Sequence, residues 1–252
     1  MKDRPEAEQA SPVVPHPPLI QYYADAHNRR PFVDRIFDTT AEHYEWINKV
    51  MSFGMGIRYR REALERAGVG EGMRVLDVCT GSGQVARTGI DMVGPNGRVV
   101  CLDASLGMLF EASRLIDAPL VQGYVEHLPI AGGAFDALTM GYALRHVADL
   151  NATFREYHRV LRPGGRLLVL ELTRPQSRFM YHGARFYLKR VIPAVARLKG
   201  REARTLMEYF WDTIENCVSP ETILGAMTTA GFEAPRRFGQ IELFSEYTAI
   251  RA

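Results

Sequence analysis

Residues 75–83 constrain the fold more than any other stretch. Val75-Leu76-Asp77-Val78-Cys79 is an apolar run that empties into Thr80-Gly81-Ser82-Gly83 before a helical pattern begins. An apolar run closed by glycines predicts a buried strand, a tight turn and a helix start. The unit then repeats. Strands are predicted at 74–79, 98–102, 120–121, 135–140 and 166–172, with helices to about residue 93, at 106–115 and at 150–161. Strands separated by helices of about 10–15 residues predict a parallel sheet with right-handed crossovers, doubly wound and mostly parallel, in the α/β class. Pro95-Asn96-Gly97 and Pro163-Gly164-Gly165 supply turns.

The glycine loop predicts a ligand site. Gly81 and Gly83 carry no Cβ, so they allow the sharp turn and the close approach of a ligand to backbone. The second strand runs on to Asp103, 20 residues past Gly83. At that offset a carboxylate is placed to accept from both hydroxyls of a ribose. Gly81-Ser82-Gly83-Gln84-Val85-Ala86 also satisfies the GxGxxA form of the dinucleotide fingerprint, which keeps an NAD(P)-linked oxidoreductase as a rival reading. Three features argue against it. Asp77 is read as an anion at the mouth of the loop, hostile to a pyrophosphate and suited to an ammonium or sulfonium. There is no P-loop lysine. And Asp103-Ala104-Ser105-Leu106-Gly107-Met108 reads as a helix cap beside an adenosine pocket, with Ala104 and Met108 lining it.

Further motifs carry a resemblance. They are Phe37-Asp38-Thr39-Thr40-Ala41-Glu42-His43-Tyr44 with Asn48, then Met51-Ser52-Phe53-Gly54, Glu126-His127-Leu128-Pro129, Leu144-Arg145-His146-Val147-Ala148-Asp149, and the stretch 159–171. Through them the chain resembles the class I methyltransferases, and within these the ubiquinone/menaquinone biosynthesis C-methyltransferase family. The resemblance implies a Rossmann-like fold, S-adenosylmethionine as cofactor and a hydroxylated aromatic or quinol-like acceptor methylated on carbon. It implies that Ser82, Asp103, Tyr124, Val125 and Gly141 line the cofactor site, with Asp77 facing the methionine end. Tyr124 stands where the family has Asn or Asp, and His146 where it has Asn. An O- or N-methyltransferase of a small metabolite or lipid headgroup is the near alternative, and a nonenzymatic S-adenosylmethionine-binding protein a further one.

Methyl transfer from a sulfonium needs an aligned acceptor and a group to take a proton. His146, with an unperturbed pKa near 6.5, is the candidate base. Arg145 is the candidate partner of an acceptor oxyanion, and Tyr44 is placed to close over the sulfonium or the acceptor ring. For each, a structural role as cap, surface cation or core aromatic stands beside the functional one.

The rest of the chain frames the site. Residues 1–18, with five prolines, predict an unstructured tail. Residues 30–66 read as helical, broken at 52–54. Residues 19–252 form one domain. It includes an aromatic, basic insert at 174–216 that predicts a helical lid over the acceptor, with a peripheral membrane contact left open. A helix from Ser219-Pro220 and two strands, 234–240 and 244–250, close the chain. A net charge of +2 provides no global field for nucleic acid. Three unpaired-looking cysteines predict a reduced protein, no cluster suggests a metal, and neither a spanning run nor a signal segment is visible, so cytoplasmic location is the expectation. A homodimer is left open.

Overall fold

A computed structural model of the chain describes residues 11–52, 56–240 and 242–252. Seven strands form one sheet: β1 (Arg74–Val78), β2 (Arg98–Asp103), β3 (Leu120–Gln122), β4 (Phe135–Gly141), β5 (Leu161–Leu172), β6 (Phe232–Gln240) and β7 (Phe244–Arg251), in the order β3-β2-β1-β4-β5-β7-β6. β1 to β5 are parallel. β7 inserts antiparallel beside β5 and β6 pairs antiparallel on its outer edge. The central strands are covered on both faces, so they read as continuous apolar runs; residues 135–140 are all buried. The chain builds outward from β1 to β3 and then returns to β4, which makes the β1/β4 boundary the switch point where a crevice opens.

β5 starts earlier than the expected residue 166. Leu161 already pairs with Phe135, and the register then slips so that Ala137 faces Arg166. The slip absorbs Pro163-Gly164-Gly165 as a bulge, with Gly164 at φ +73°, a conformation costly for any residue with a Cβ.

Ten helices are described. α1 (Ile20–Tyr23), α2 (Arg29–Ser52) and α3 (Gly56–Arg66) precede the sheet, and the expected break at 52–54 falls largely on residues 53–55, outside the described residues. α4 (Gln84–Val93), α5 (Leu106–Ser113) and α6 (Leu150–Val160) are the crossovers. The Asp149 carboxylate caps α6 by accepting from Asn151 N and Ala152 N. The insert holds α7 (Arg178–Phe186), α8 (Ile192–Ala196) and α9 (Arg201–Glu215), and α10 (Pro220–Thr229) follows. Between α7 and α8 the helix widens to a π-turn at Tyr187–Val191. Pro193 explains it, since its ring cannot donate to the Lys189 carbonyl and crowds it.

Three apolar clusters hold these layers. Leu76, Val78 and Leu138 meet Phe154 and Tyr157 of α6 and Met227 of α10 on one face. Ala63, Leu64, Val85 and Ala86 cover Val75, Cys101 and Ala137 on the other. The third cluster joins Phe32 and Ile36 of α2 to Leu206, Tyr209 and Trp211 of α9. The insert therefore docks on α2 and the N-terminal segment.

The expected tail to residue 18 is corrected for residues 11–18; residues 1–10 lie outside the described residues. Val13 N donates to the Asp149 carboxylate at 2.8 Å, Val13 O accepts from Leu150 N, Asn151 Nδ2 donates to Ser11 O, and Pro15 O accepts from Val218 N. Prolines that exclude a helix leave an extended strap whose few polar backbone groups are met by the body of the domain. Among the described residues no helix is long and apolar enough to cross a membrane, and no group of His, Cys, Asp and Glu could hold a metal ion.

Candidate active site

A cavity of about 280 Å³ opens at the carboxyl ends of β1, β2 and β4. That is near the lower end of the size range of ligand pockets. Of the residues singled out from sequence, Tyr44, Gly81, Asp103, Ala104, Met108, Tyr124, Val125, Gly141 and His146 line it; Asp77, Ser82, Gly83 and Arg145 do not. No residue of 174–216 lines it either. The cover expected of the insert comes instead from the N-terminal strap and α2, through Val14, His16, Pro18, Arg29, Val33 and Phe37. Sequence reading missed these because a proline-rich strap has no periodicity, and on α2 the cavity-facing and core-facing apolar residues share one stripe.

The glycine loop has the conformation its sequence requires. Gly81 and Gly83 sit at φ +55° and +85°. A Cβ on Gly83 would fall 2.9 Å from Ile116 of the segment after α5, so this glycine serves packing beneath the loop. Gly141 ends β4 with Val85 only 2.7 Å from where a Cβ would stand, so close packing of α4 on this strand requires the glycine.

Asp77 is not at the mouth of the loop. It is buried, and its two oxygens accept from Thr80 Oγ1 at 2.6 Å and Thr139 Oγ1 at 2.5 Å. Burial pushes its pKa up to about 6 against those hydrogen bonds. It braces the loop from below through Thr80, because the loop after β1 and the neighbouring strand β4 each bring a hydroxyl side chain to it. Ser82 likewise turns away from the cavity, donating to Glu45 Oε1 at 2.5 Å, where Gln84 Nε2 also donates at 2.8 Å.

Asp103 stands at the tip of β2. Its Oδ2 accepts from Gly81 N at 2.8 Å and its Oδ1 from Ser105 N at 2.9 Å. Each oxygen keeps a further acceptor site. Burial raises its pKa to about 6, with those backbone donors and that of Ala104 pulling the other way and Asp38 adding to the rise.

α2 presents polar residues to this edge in sequence. Arg30 pairs with Glu126 at 3.0 Å and lies 4.2 Å over the Tyr124 ring; Asp34 accepts from the Tyr124 hydroxyl at 2.8 Å; Asp38 accepts from Ser105 Oγ and Gly107 N; Glu45 reaches the glycine loop. Spacing of three to four residues puts such groups on one helix face. Tyr124, 39% exposed, offers a flat aromatic face at the cavity rim.

Arg145 is corrected from its expected place. It is 0% exposed, ion-paired with Glu171 on β5, donating from Nε to Thr213 Oγ1 at 3.2 Å, with its guanidinium 4.6 Å from the Phe210 ring centroid. The short helical turn Leu144–His146 aims residue 145 inward, behind the cavity wall. Its backbone carbonyl accepts from Arg29 Nη2 at 2.9 Å.

His146 does face the cavity. Its ring stacks on Tyr209 at 5.5 Å and meets Phe37 edge-on at 5.2 Å. Both ring nitrogens are shielded and have no hydrogen-bond partner among the described residues. Burial, aided by the charges of Arg145 and Arg29 and by His16, holds its pKa well below the usual value, so the imidazole is neutral. His16 stands on the same wall, its pKa lowered to about 4 by burial and Arg29. Tyr44 lines the crevice beside Gly81, its phenol pushed up to about 12 by burial and therefore protonated.

Known structures share this fold. A SAM dependent methyltransferase from Aquifex aeolicus superposes with a TM-score of 0.58 at 18% identity, over 77% of this chain and 89% of that one. Phosphoethanolamine N-methyltransferase 2 of Haemonchus contortus, in complex with phosphomonomethylethanolamine and S-adenosylhomocysteine, gives 0.62 at 18% identity, over 88% and 60%. A glycine loop after the first strand, a carboxylate ending the second, and an antiparallel last pair are the fold in common, and the family match that follows makes this chain an S-adenosylmethionine-dependent methyltransferase. The sequence narrows this further. The model of the ubiE/COQ5 methyltransferase family matches residues 24–239. The ubiquinone/menaquinone biosynthesis C-methyltransferase UbiE of Shewanella sp. (strain W3-18-1) is 34% identical over 216 residues, 83% of this chain and 86% of that enzyme. The chain belongs to the ubiE/COQ5 methyltransferase family.

The residues present fit the cofactor. Asp103 has acceptor capacity to spare toward the cavity, Gly81 leaves backbone open to close approach, and Tyr124, Val125 and Met108 give an apolar floor for a purine.

Proposed function

We propose that this methyltransferase alkylates a ring carbon of a hydroxylated aromatic or quinol-like acceptor, with Asp103 holding the cofactor ribose, Tyr124 and Val125 bracketing the adenine, and His146 taking the acceptor's proton. One observation carries the acceptor half: a neutral imidazole in the cavity wall with two unpartnered nitrogens, its ring packed against Phe37 of the wall and, behind it, Tyr209. Polar atoms buried without partners cost about 1–3 kcal/mol each, and a ligand hydroxyl relieves that cost. The bound cofactor supplies an electrophilic methyl group. Transfer of that methyl to a ring carbon would leave the acceptor's hydroxyl strongly acidic. Even a weakly basic imidazole then accepts its proton. Loss of the ring C–H proton, with return of one to oxygen, restores aromaticity. Tyr44, protonated, closes the crevice beside Gly81 and excludes water. Arg145 acts through the backbone, fixing the turn that carries His146.

The test is product analysis. With methyl-labelled S-adenosylmethionine and a panel of hydroquinones, catechols and small amines, mass spectrometry should find label on ring carbon; label on oxygen or nitrogen alone would replace this reading by the alternative one. His146→Phe keeps the stacking and removes the base. Turnover should fall about a hundredfold, the lower end of what positioned proton transfer contributes, with cofactor affinity unchanged. Equal turnover would remove His146 from the chemistry.

Contact with a membrane surface belongs to the same proposal. Phe179 is 87% and Phe186 67% exposed one above the other on α7, and residues 174–201 hold eight Lys and Arg but no Asp or Glu. Sedimentation with phosphatidylglycerol vesicles should exceed that with phosphatidylcholine and fall on raising the salt. Equal sedimentation with both would speak against it.

A further inference from the structure

α3 carries a charge that nothing described so far uses. Arg60 is only 8% exposed, yet no carboxylate pairs with it among the described residues, and its Nε is buried without a partner. The adjoining residues 47–55 contain no Asp or Glu. An arginine is seldom buried unless it is paired. Neither Arg60 nor Glu45 is on the crevice wall itself; they adjoin the wall residues Tyr142 and, through Ser82, Gly81. Near Arg60 stand the Tyr142 hydroxyl, kept neutral because burial pushes its pKa up, and the Glu45 carboxylate. Tyr142 follows Gly141, lines the cavity, and is held at φ +61°, strained for a residue with a side chain. Glu45 grips the glycine loop through Ser82 and Gln84 with one oxygen, Oε1. Gly56, at the start of α3, lets the guanidinium lie close: a Cβ there would be 2.8 Å from Arg60 Nη1.

The sheet order says what should reach this point. With ribose at the tip of β2 and adenine toward β3, the rest of the cofactor must run the other way, over β1 to β4. That tail is an amino acid, one carboxylate and one ammonium. We propose that Arg60 and Glu45 are the zwitterion clamp of this enzyme, Arg60 binding the cofactor's carboxylate and Glu45 its ammonium. Asp77, the residue that sequence pointed to for this end, has both oxygens engaged by threonines. The inference rests on the crevice being the cofactor site, so its test separates the two.

Calorimetry would compare S-adenosylhomocysteine with 5′-methylthioadenosine, which keeps adenine and ribose but lacks the amino acid. Wild type should bind both, the former more tightly. Arg60→Met should weaken S-adenosylhomocysteine at least thirtyfold and methylthioadenosine less than twofold; Glu45→Gln should weaken the former about tenfold and spare the latter. Equal losses for both ligands would make Arg60 a structural residue and overturn the clamp, as would no loss for either. Failure of wild type to bind methylthioadenosine at all would instead strike the crevice itself. Should the Arg60 variants not fold, decarboxylated S-adenosylhomocysteine on wild type decides: undiminished affinity overturns the role of Arg60.

Discussion

Arg145→Met is expected to cost about 3–5 kcal/mol of folding stability, the range for stripping one partner from a buried ion pair. A domain has only about 5–15 kcal/mol to lose. The cause is Glu171, on β5, which would remain in a fully buried setting with only backbone N–H groups, those of Leu172, Arg145 and Leu144, as donors. Even with Arg145 present, burial holds Glu171 above the ordinary carboxylate range. Without it the folded-state pKa climbs further. A raised carboxylate pKa means that the unfolded chain ionises first as pH rises. The deficit is therefore complete above the folded pKa and shrinks as pH falls below it. Urea unfolding should show a larger loss at pH 8 than at pH 5. The double variant Arg145→Met with Glu171→Leu should recover most of the stability, because it removes both charges and keeps the volume. A single variant as stable as wild type, or a loss independent of pH, would show that the pair does not hold this wall.

That pair illustrates how far the sequence could be read. The strand–helix rhythm from residue 74 to 172 and the two closing strands are local patterns, and local patterns survive into the fold. Gly81, Asp103 and Ala104 reach the cavity because they sit at or just past strand tips, where topology fixes the exit direction, and Met108 because it lies in the first turn of the helix that follows. Side-chain direction after a strand is a different matter. Arg145 and His146 are neighbours, one aimed into the protein and the other into the cavity, and the turn that separates them leaves no mark on composition. Asp77 needed knowledge of Thr139, 62 residues away on β4, to be seen as a brace. Residues 11–18 needed knowledge of Asp149, Asn151 and Val218. Arg60 gave no signal at all in a helix already rich in arginine; only its burial sets it apart from Arg58 and Arg61. What was illegible was whatever depends on partners distant in sequence.

Asp103→Ala is the variant on which cofactor binding turns. A charge-assisted hydrogen bond contributes about 1.5–3 kcal/mol, and two from the ribose diol amount to a loss of about 10²–10⁴ in affinity. The substitution also strips Gly81 N and Ser105 N of their acceptor, loosening the loop that must meet the ligand. The ligand-free protein behaves otherwise. Its Asp103 is pushed up to about 6 by burial, so above that pH the ionised group weakens the fold, and Asp103→Asn should leave the ligand-free melting temperature unchanged or higher while shrinking, at saturating ligand, the upward shift that S-adenosylhomocysteine causes in wild type. Binding should follow the ionised form. Affinity is full above about pH 6 and falls as pH drops below it, by up to tenfold per unit. Asp77 titrates in the same region, which is why the comparison must include Asp103→Asn: only the slope lost in that variant belongs to Asp103. Calorimetry between pH 5 and 7.5 reads both quantities. Unchanged affinity in Asp103→Ala, or a wild-type profile flat across that span, would move the ribose away from β2 and with it the direction assigned to the rest of the cofactor.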